Sequence, residues 1–194
     1  MKTIFFDIDT QLDFLYPAGA LYVPGAERVL PVIARLHRYA AAHGIPVVST
    51  TDAHTENDPE FKTWPPHCIA GTTGQHKVEA TLLERRLVVP NGPSIPALGS
   101  AQQIVVEKQH VNAFTVPNFA RVVEHLAADR FVVYGVVTEI CVHFAARGLL
   151  KYGKPVTIVT DAVAALSSEA SEQALAGICA AGGTLAFSSE IAHP

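Results

Sequence analysis

The amino-acid sequence predicts an α/β protein of three layers, in which a six-stranded, mostly parallel sheet carries helices on both of its faces. Six short runs rich in β-branched apolar residues are almost continuously hydrophobic, as strands buried on both faces are. Segments with helical spacing alternate with these runs, and a repeated strand–helix order makes neighbouring strands parallel. A long segment, 53–100, is rich in Pro, Gly, Thr and His and shows neither pattern; loops of such length in compact domains are usually functional.

Each element is justified by its composition and by the residues that end it. The strands are short apolar runs bounded by charged or turn-forming residues. They are predicted at 3–8, 45–52, 102–108, 130–137, 154–161 and 183–188. In the helical segments apolar residues recur every three to four positions, and Gly44, Gly153 and Gly182 act as stop signals. The helices are predicted at 26–43, 117–128, 141–152 and 168–181.

Composition and charge narrow the class of protein. With 194 residues, of which 49% are hydrophobic, the chain can bury a substantial core, so we expect a single domain over residues 1–194. The net charge is −4 and the basic residues are scattered, which argues against nucleic acid or a membrane surface as a partner. No stretch is long enough to span a membrane, so we expect a cytoplasmic protein acting on a small molecule.

Cys141 stands where the strand 130–137 passes into the next predicted helix. The carboxyl ends of the strands are the edge at which open α/β sheets bind ligands. A sulfur at a helix N-terminus lies near unpaired backbone N–H groups and the positive end of the helix dipole, which favour the nucleophilic thiolate. Free cysteine is also among the most buried residue types, so a packing role explains the same position. The position by itself leaves both interpretations open.

Asp9 and Lys108 follow two other strands and are suitable partners for a reactive thiol. Asp9 can accept the thiol proton, and Lys108 can stabilise an anion in the transition state. Because an unpaired charge at the buried end of a strand is costly, we expect these two side chains to pair with each other. A purely structural ion pair or a solvated strand end is the alternative.

The segment after the second strand contains carboxylates and imidazoles, at Asp52, His54, Glu60 and His67. This mixture of ligands suits a divalent transition metal such as zinc, iron or manganese, and a partly open site would be catalytic. Asp52 with His54 is a weak signal, because a turn cap beside a surface histidine has the same pattern. The presence of His67 within WPPHC strengthens the prediction of a metal site.

Four separated motifs together resemble the successive signatures of the isochorismatase-like cysteine hydrolases. They are DIDTQLDF at 7–14, DAH with WPPHCIAGTTG at 52–54 and 64–74, Lys108, and GVVTEICV at 135–142. The WPPHC portion is most similar to nicotinamidases. The resemblance implies the isochorismatase-like hydrolase fold and a catalytic triad: Asp9 as general base and later acid, Lys108 as electrostatic partner, and Cys141 as the nucleophile that forms a thioester while ammonia leaves.

The resemblance also implies how metal and substrate are held. Asp52, His54 and His67 match the family's metal ligands, and Glu60 falls where many nicotinamidases have a third histidine. In nicotinamidase-like members the metal binds the pyridine nitrogen and aromatic side chains enclose the ring. Phe14 and Trp64 match those aromatic walls, although either residue is also explained by core packing.

The resemblance further implies a non-proline cis peptide bond between Val136 and Val137, with the N–H groups of Val137 and Cys141 forming an oxyanion hole. The implied function is metal-dependent hydrolysis of nicotinamide, or a similar small carboxamide, by an enzyme expected to be a homo-oligomer. Ile140 and the segment 109–119 depart from the family pattern, so another amide or an N-carbamoyl substrate stays open. A non-catalytic binding protein that inherited the fold is the remaining alternative.

Overall fold

A computed structural model of the chain describes residues 1–192, so the last two residues of the predicted 1–194 domain lie outside the described residues. At its centre is a sheet of seven strands in which all neighbouring strands are parallel. The strands are β1 (Thr3–Ile8), β2 (Val47–Asp52), β3 (Arg86–Val89), β4 (Gln103–Lys108), β5 (Arg130–Val136), β6 (Val156–Ala164) and β7 (Thr184–Ala186). Their order across the sheet is β3-β4-β2-β1-β5-β6-β7.

The predicted α/β class with a parallel sheet is confirmed, but the predicted strand number of six is wrong. The additional strand, β3, is only four residues long and lies at the edge of the sheet. Its side chains are partly exposed, with Val88 at 48% of its full accessibility, and its apolar run is only three residues long. A short edge strand inside the long 53–100 segment therefore leaves only a weak hydrophobic signal.

Four of the six helices, α2 to α5, lie within the predicted segments and are shorter than predicted, whereas the four-residue helices α1 and α6 were not predicted. They are α1 (Leu12–Leu15), α2 (Leu30–His43), α3 (Pro117–Leu126), α4 (His143–Leu150), α5 (Ser168–Ala180) and α6 (Ser188–Ile191). Helix α2 begins later than predicted because Pro31 occupies its first turn, where a missing N–H is tolerated, and Ala26–Arg28 form a separate 3-10 turn. Gly44 ends α2 in the left-handed conformation, with φ of 64°, as the sequence predicted.

Two layers of helices cover the sheet. Helices α3, α4 and α5 contribute to one apolar cluster with the β1 side chains Ile4, Phe6 and Ile8. Helix α2 packs on the opposite face, where Phe5 of β1 belongs to a second cluster. The alternation of β1 side chains between the two clusters explains why the strand is hydrophobic at nearly every position. Among residues 1–192, no helix is both long enough and apolar enough to cross a membrane.

Strands β4, β2, β1 and β5 are adjacent, so their carboxyl ends meet at one edge of the sheet. Gly135 allows β5 to approach β1 closely just before this edge. Its φ is 117°, and a Cβ atom there would lie 2.1 Å from the carbonyl oxygen of Ile8. Only glycine fits such a position, which brings the loop after β5 against the end of β1.

Candidate active site

Lys108 is the centre of a buried ionic cluster at the carboxyl edge of the sheet. Its side chain is 1% exposed, and its Nζ lies 2.9 Å from Asp9 Oδ2 and 2.5 Å from Asp52 Oδ1. The same Nζ lies 3.8 Å from the Sγ of Cys141. The expected pairing of Asp9 with Lys108 is therefore present. Asp52, selected from the sequence only as a metal ligand, is a second partner of the lysine, because the parallel register places Asp52 directly beside Lys108.

Asp9 reaches this cluster because the chain turns sharply at the end of β1. Its φ is 49°, a left-handed conformation that is uncommon outside glycine. The hydroxyl of Thr50 donates a hydrogen bond of 2.6 Å to Asp9 Oδ1, while the other carboxylate oxygen faces Lys108. The carboxylate is thus held by two neighbouring strands with one oxygen directed towards the reactive groups.

Burial and charge determine the protonation of the cluster. Burial raises the pKa of Cys141 well above the usual thiol range; Lys108 opposes this effect, and Asp9 and Asp52 add to it. Burial also raises the pKa of Asp9 in spite of Lys108. Burial alone would raise the pKa of Asp52, but Lys108 and His54 outweigh it and hold that pKa at about 2. The lysine, whose pKa Asp52 and Asp9 raise against the effect of burial, is charged.

The raised pKa of Cys141 opposes the thiolate form that a place near a helix start favours. Residues Thr138–Val142 form a π-helical turn, and α4 begins only at His143. Cys141 therefore lies within the turn, 7% exposed, facing two carboxylates. Its raised pKa favours the neutral thiol form of the sulfur.

The peptide bond between Val136 and Val137 is cis, as the resemblance implied. It lies directly before the turn that carries Cys141. Val137 and Cys141 both line the pocket at this edge of the sheet. Their backbone N–H groups as an oxyanion hole stay a prediction.

Asp52, His54 and His67 form a compact group of possible metal ligands. One ligand atom from each lies within 4.8 Å of the others, and all three residues are buried. The Nε2 atoms of His54 and His67 lie 3.8 and 3.9 Å from Asp52 Oδ2, too far for hydrogen bonds. Three buried donors that converge without bonding one another suit a cation between them.

The far sides of both imidazoles support this interpretation. Nδ1 of His67 lies 2.8 Å from the carbonyl oxygen of Pro65, to which it can donate, and Nδ1 of His54 lies 3.0 Å from Asp58 Oδ2. Metal-bound histidines usually donate their other ring N–H to a carbonyl or a carboxylate, which orients the ring. The residues present therefore fit a divalent metal. Glu60 Oε1 lies 4.0 Å from His54 Nε2, beside the group, and its role as a fourth ligand stays a prediction.

The pocket in front of Cys141 has aromatic and aliphatic walls and an empty volume of about 370 Å³. Phe14, which is 3% exposed, and Trp64 both line it, where the sequence analysis expected substrate walls. Most of the remaining lining is aliphatic: Leu21, Val23, Val111, Val136, Ile140 and Leu166. Leu21, Val23 and Leu166 were not selected from the sequence, because they lie outside the recognised motifs and no local pattern connects them.

Asp58 and Phe61 were also missed by sequence reasoning. Phe61 packs against His54 and His67, with ring centroids 5.3 and 5.7 Å away. Asp58 follows His54 by four residues. An acidic residue so close to a presumed histidine ligand could have been predicted from the sequence as the partner that orients the imidazole. The aromatic contact had no such signal, because Phe61 lies in a short 3-10 turn.

A second buried polar cluster lies on the α2 face of the sheet. Asp7 is fully buried, and its Oδ2 is 2.6 Å from Lys77 Nζ and 3.2 Å from His37 Nε2. Lys77 Nζ also donates to Thr10 Oγ1, at 2.5 Å. Burial alone would raise the pKa of Asp7, but Lys77 and His37 outweigh it and hold that pKa well below its ordinary value. This cluster joins β1 to the segment around residue 77.

The parallel sheet and the polar cluster at its carboxyl edge give the chain the architecture of an α/β enzyme. The chain belongs to the isochorismatase domain family, whose model matches residues 3–189. The isochorismatase-like hydrolase predicted from the sequence motifs is thereby confirmed at the level of the family.

Individual relatives agree in fold and in approximate length. The chain is 26% identical to the nicotinamidase/pyrazinamidase of Mycobacterium tuberculosis over 178 residues, covering 87% of this chain and 89% of that protein. The crystal structure of the pyrazinamidase of Pyrococcus horikoshii in complex with zinc superimposes with a TM-score of 0.80 at 26% identity, covering 96% of this chain and 99% of that one. A nicotinamidase from Bacillus subtilis has a TM-score of 0.82 at 26% identity, with coverage of 96% and 99%.

Proposed function

We propose that this protein is a metal-dependent cysteine amidohydrolase that converts nicotinamide, or a similar small carboxamide, to the carboxylic acid and ammonia. The observation that carries this proposal is the shared position of Asp52. One of its oxygens contacts Lys108, which in turn contacts Asp9 and Cys141, and the other faces the two imidazoles. Asp52 thus connects the proposed nucleophile and proton acceptor to the proposed metal ligands, and Asp52, His67 and Cys141 line the same pocket.

In the proposed first step the sulfur of Cys141 attacks the amide carbonyl carbon as Asp9 takes the thiol proton. A C–S bond forms, and the carbonyl electron pair moves onto oxygen. The backbone N–H groups of Val137 and Cys141 are proposed to stabilise that oxyanion. Lys108 remains protonated, because both neighbouring carboxylates raise its pKa.

In the second step the C–N bond breaks, and Asp9 returns the proton to the departing nitrogen, which leaves as ammonia. The resulting thioester is then attacked by water, whose proton passes to Asp9. The C–S bond breaks, the acid is released, and Asp9 returns the proton to the sulfur. The cycle therefore needs a carboxyl group that alternates between its two forms, and a raised pKa brings Asp9 closer to that balance.

Asp52, His54 and His67 would hold the metal, with Glu60 proposed as a further ligand. A bound zinc, iron or manganese ion would supply a Lewis-acidic position that faces the pocket and accepts a ring nitrogen of the substrate. Phe14 and Trp64 are proposed to enclose the ring.

The charge of the pocket supports an uncharged substrate. Its acidic lining residues are Asp52 and Glu60, and among the described residues that line it there is neither lysine nor arginine. Lys108, just behind the wall, is already paired with two carboxylates. A substrate with its own carboxylate, such as isochorismate or an N-carbamoyl amino acid, would find no side-chain cation in that lining and could pair only with the proposed metal. A neutral carboxamide meets no such penalty.

The test is ammonia release from nicotinamide by purified protein, before and after chelation and after addition of zinc, iron or manganese. Release that needs metal and is absent from Cys141→Ala is the expected result. Undiminished release by Cys141→Ala would refute the thioester mechanism. Failure of folded, metal-loaded protein to release ammonia would refute nicotinamide as substrate, and a panel of other amides and N-carbamoyl compounds would follow.

A further inference from the structure

Gln11 makes a set of buried hydrogen bonds to the backbone of Asp52. It is fully buried and lies two residues after Asp9. Its Oε1 accepts a hydrogen bond of 2.7 Å from the N–H of Asp52, and its Nε2 donates one of 2.8 Å to the carbonyl oxygen of the same residue. The primary amide therefore pairs with both backbone polar groups of one residue.

The geometry of the sheet explains why Asp52 needs such a partner. The pairing of β1 with β2 ends at Ile8 and Thr50, and the last bond of the ladder runs from Asp9 N–H to Thr50 O at 3.2 Å. Beyond it β1 turns away, while β2 continues through Asp52. Buried backbone N–H and C=O groups must be paired, and the Gln11 side chain takes the place of the strand that has left.

Gln11 also fastens the segment that follows His67. Its Nε2 donates a second hydrogen bond, of 2.7 Å, to the carbonyl oxygen of Gln75. The neighbouring backbone supports this link, since Leu12 N–H donates to His76 O at 2.9 Å. One amide thus joins the turn after β1, the end of β2 and the loop beyond the imidazole of His67.

We infer that Gln11 is a positioning residue that fixes Asp52 for metal binding and for its contact with Lys108. Asp52 Oδ2 faces both imidazoles and Oδ1 faces the lysine, so a backbone shift at Asp52 disturbs both arrangements together. The inference rests on the proposed metal site, and it adds a residue outside the metal group whose loss weakens metal binding. Residues that orient metal ligands typically change metal affinity 10–100-fold when removed, roughly the effect expected here.

The chain contains a matched control in Gln103. This residue is also fully buried, and it also makes three hydrogen bonds, of 2.7, 2.8 and 2.9 Å, to Leu83 N, Thr81 O and Ser49 Oγ. It lies at the start of β4, at the opposite end of the strand from Lys108. Gln103→Met therefore removes the same chemistry from a buried position at the other end of the sheet.

The experiment measures cobalt(II) binding to metal-free protein by the visible absorption of the bound ion, in the wild type, Gln11→Met and Gln103→Met. Thermal unfolding of the metal-free variants gives the structural cost of each substitution. We expect similar losses of Tm in the two variants, and a roughly 10–100-fold weaker cobalt affinity in Gln11→Met alone. Gln11→Asn, which keeps the amide but shortens its reach, replaces Gln11→Met if that variant does not fold, with the same expectation.

Equal cobalt affinities in both glutamine variants would overturn the inference, because the effect of Gln11 would then be general destabilisation or nothing. Wild-type protein that binds no cobalt would overturn it as well. Wild-type protein that binds cobalt but releases no ammonia from nicotinamide refutes the proposed substrate, and the comparison of the variants then still decides the role of Gln11.

Discussion

The buried pair of Asp7 and Lys77 gives a quantitative prediction about stability. The two side chains are 0% and 3% exposed, and Lys77 Nζ lies 2.6 Å from Asp7 Oδ2. Lys77→Met keeps most of the volume of the side chain but leaves the carboxylate with only neutral donors and His37. Removing one partner of a buried ion pair costs about 3–5 kcal/mol, because the other charge stays desolvated.

Urea unfolding of metal-free protein measures this loss without a contribution from metal binding. With an m-value of about 2 kcal/mol per M, the expected loss lowers the urea midpoint by about 1.5–2.5 M. Lys154→Met makes the same chemical change at an exposed position and is expected to stay within about 0.5 kcal/mol of the wild type. The double variant Asp7→Asn/Lys77→Met removes both charges and should be more stable than Lys77→Met alone.

The pH dependence of unfolding provides a second measure. Because the folded-state pKa of Asp7 lies below its unfolded value of about 3.9, its contribution to stability is present above pH 4 or so. It is lost as the pH falls through the folded-state pKa, so the difference in stability between the wild type and Asp7→Asn should shrink over that range. A loss below about 1 kcal/mol in Lys77→Met, or a double variant less stable than the single one, would refute the reasoning.

Three further predictions concern the metal, the thiol and the end of β5. Saturating zinc should raise the Tm of the wild type by about 5–10 °C and leave the Tm of His67→Ala unchanged. The reason is that a ligand at 100 times its Kd adds about 2.7 kcal/mol to the free energy of unfolding. Equal Tm shifts in the two proteins would contradict the metal group. The rate at which iodoacetamide alkylates Cys141 can be followed by mass spectrometry, with the exposed Cys179 as internal comparison. We expect this rate to rise only above the ordinary thiol pKa of about 8.5. A rate that reaches its plateau below that pH would contradict the raised pKa of Cys141. In urea unfolding, Gly135→Ala should lower the free energy of unfolding by about 3 kcal/mol. Gly177→Ala, at a helical position with free space around it, should raise it by about 0.5–1 kcal/mol. An unchanged stability of Gly135→Ala would show that the close approach of β5 to β1 is not needed.

The central strands and the residues at their carboxyl ends were accessible from the sequence for a physical reason. A strand buried on both faces must be apolar almost throughout, so TIFFDI and RFVVYGVV stand out in a sequence of mixed composition. Parallel strands end at one edge, so Asp9, Lys108 and Cys141 could be expected together before any contact was known. Asp9 Oδ2 and Cys141 Sγ lie 2.9 and 3.8 Å from Lys108 Nζ, in agreement with that expectation.

The parts of the site that could not be predicted depend on contacts between residues that are distant in the chain. The register of β2 against β4 places Asp52 beside Lys108, and no feature of either strand announces that register. The protonation of Cys141 depends on burial against carboxylates rather than on its place near a helix start. Lys77 lies 70 residues from Asp7 in a segment without periodicity, so its pairing left no pattern to detect.

The proposed catalytic groups are divided between two halves of one chain. Residues 91–100 are mostly exposed and separate β3 from β4, and β4 lies between β3 and β2 in the sheet. A cut in that segment would leave Asp9 and Asp52 in one fragment and Lys108 and Cys141 in the other, so neither fragment would hold the proposed nucleophile together with its proposed base. The fragments could restore the site only if β4 inserted between β3 and β2. The chain is therefore suited to a split enzyme, in which each fragment is fused to one of two binding partners and ammonia release reports that the partners have bound each other.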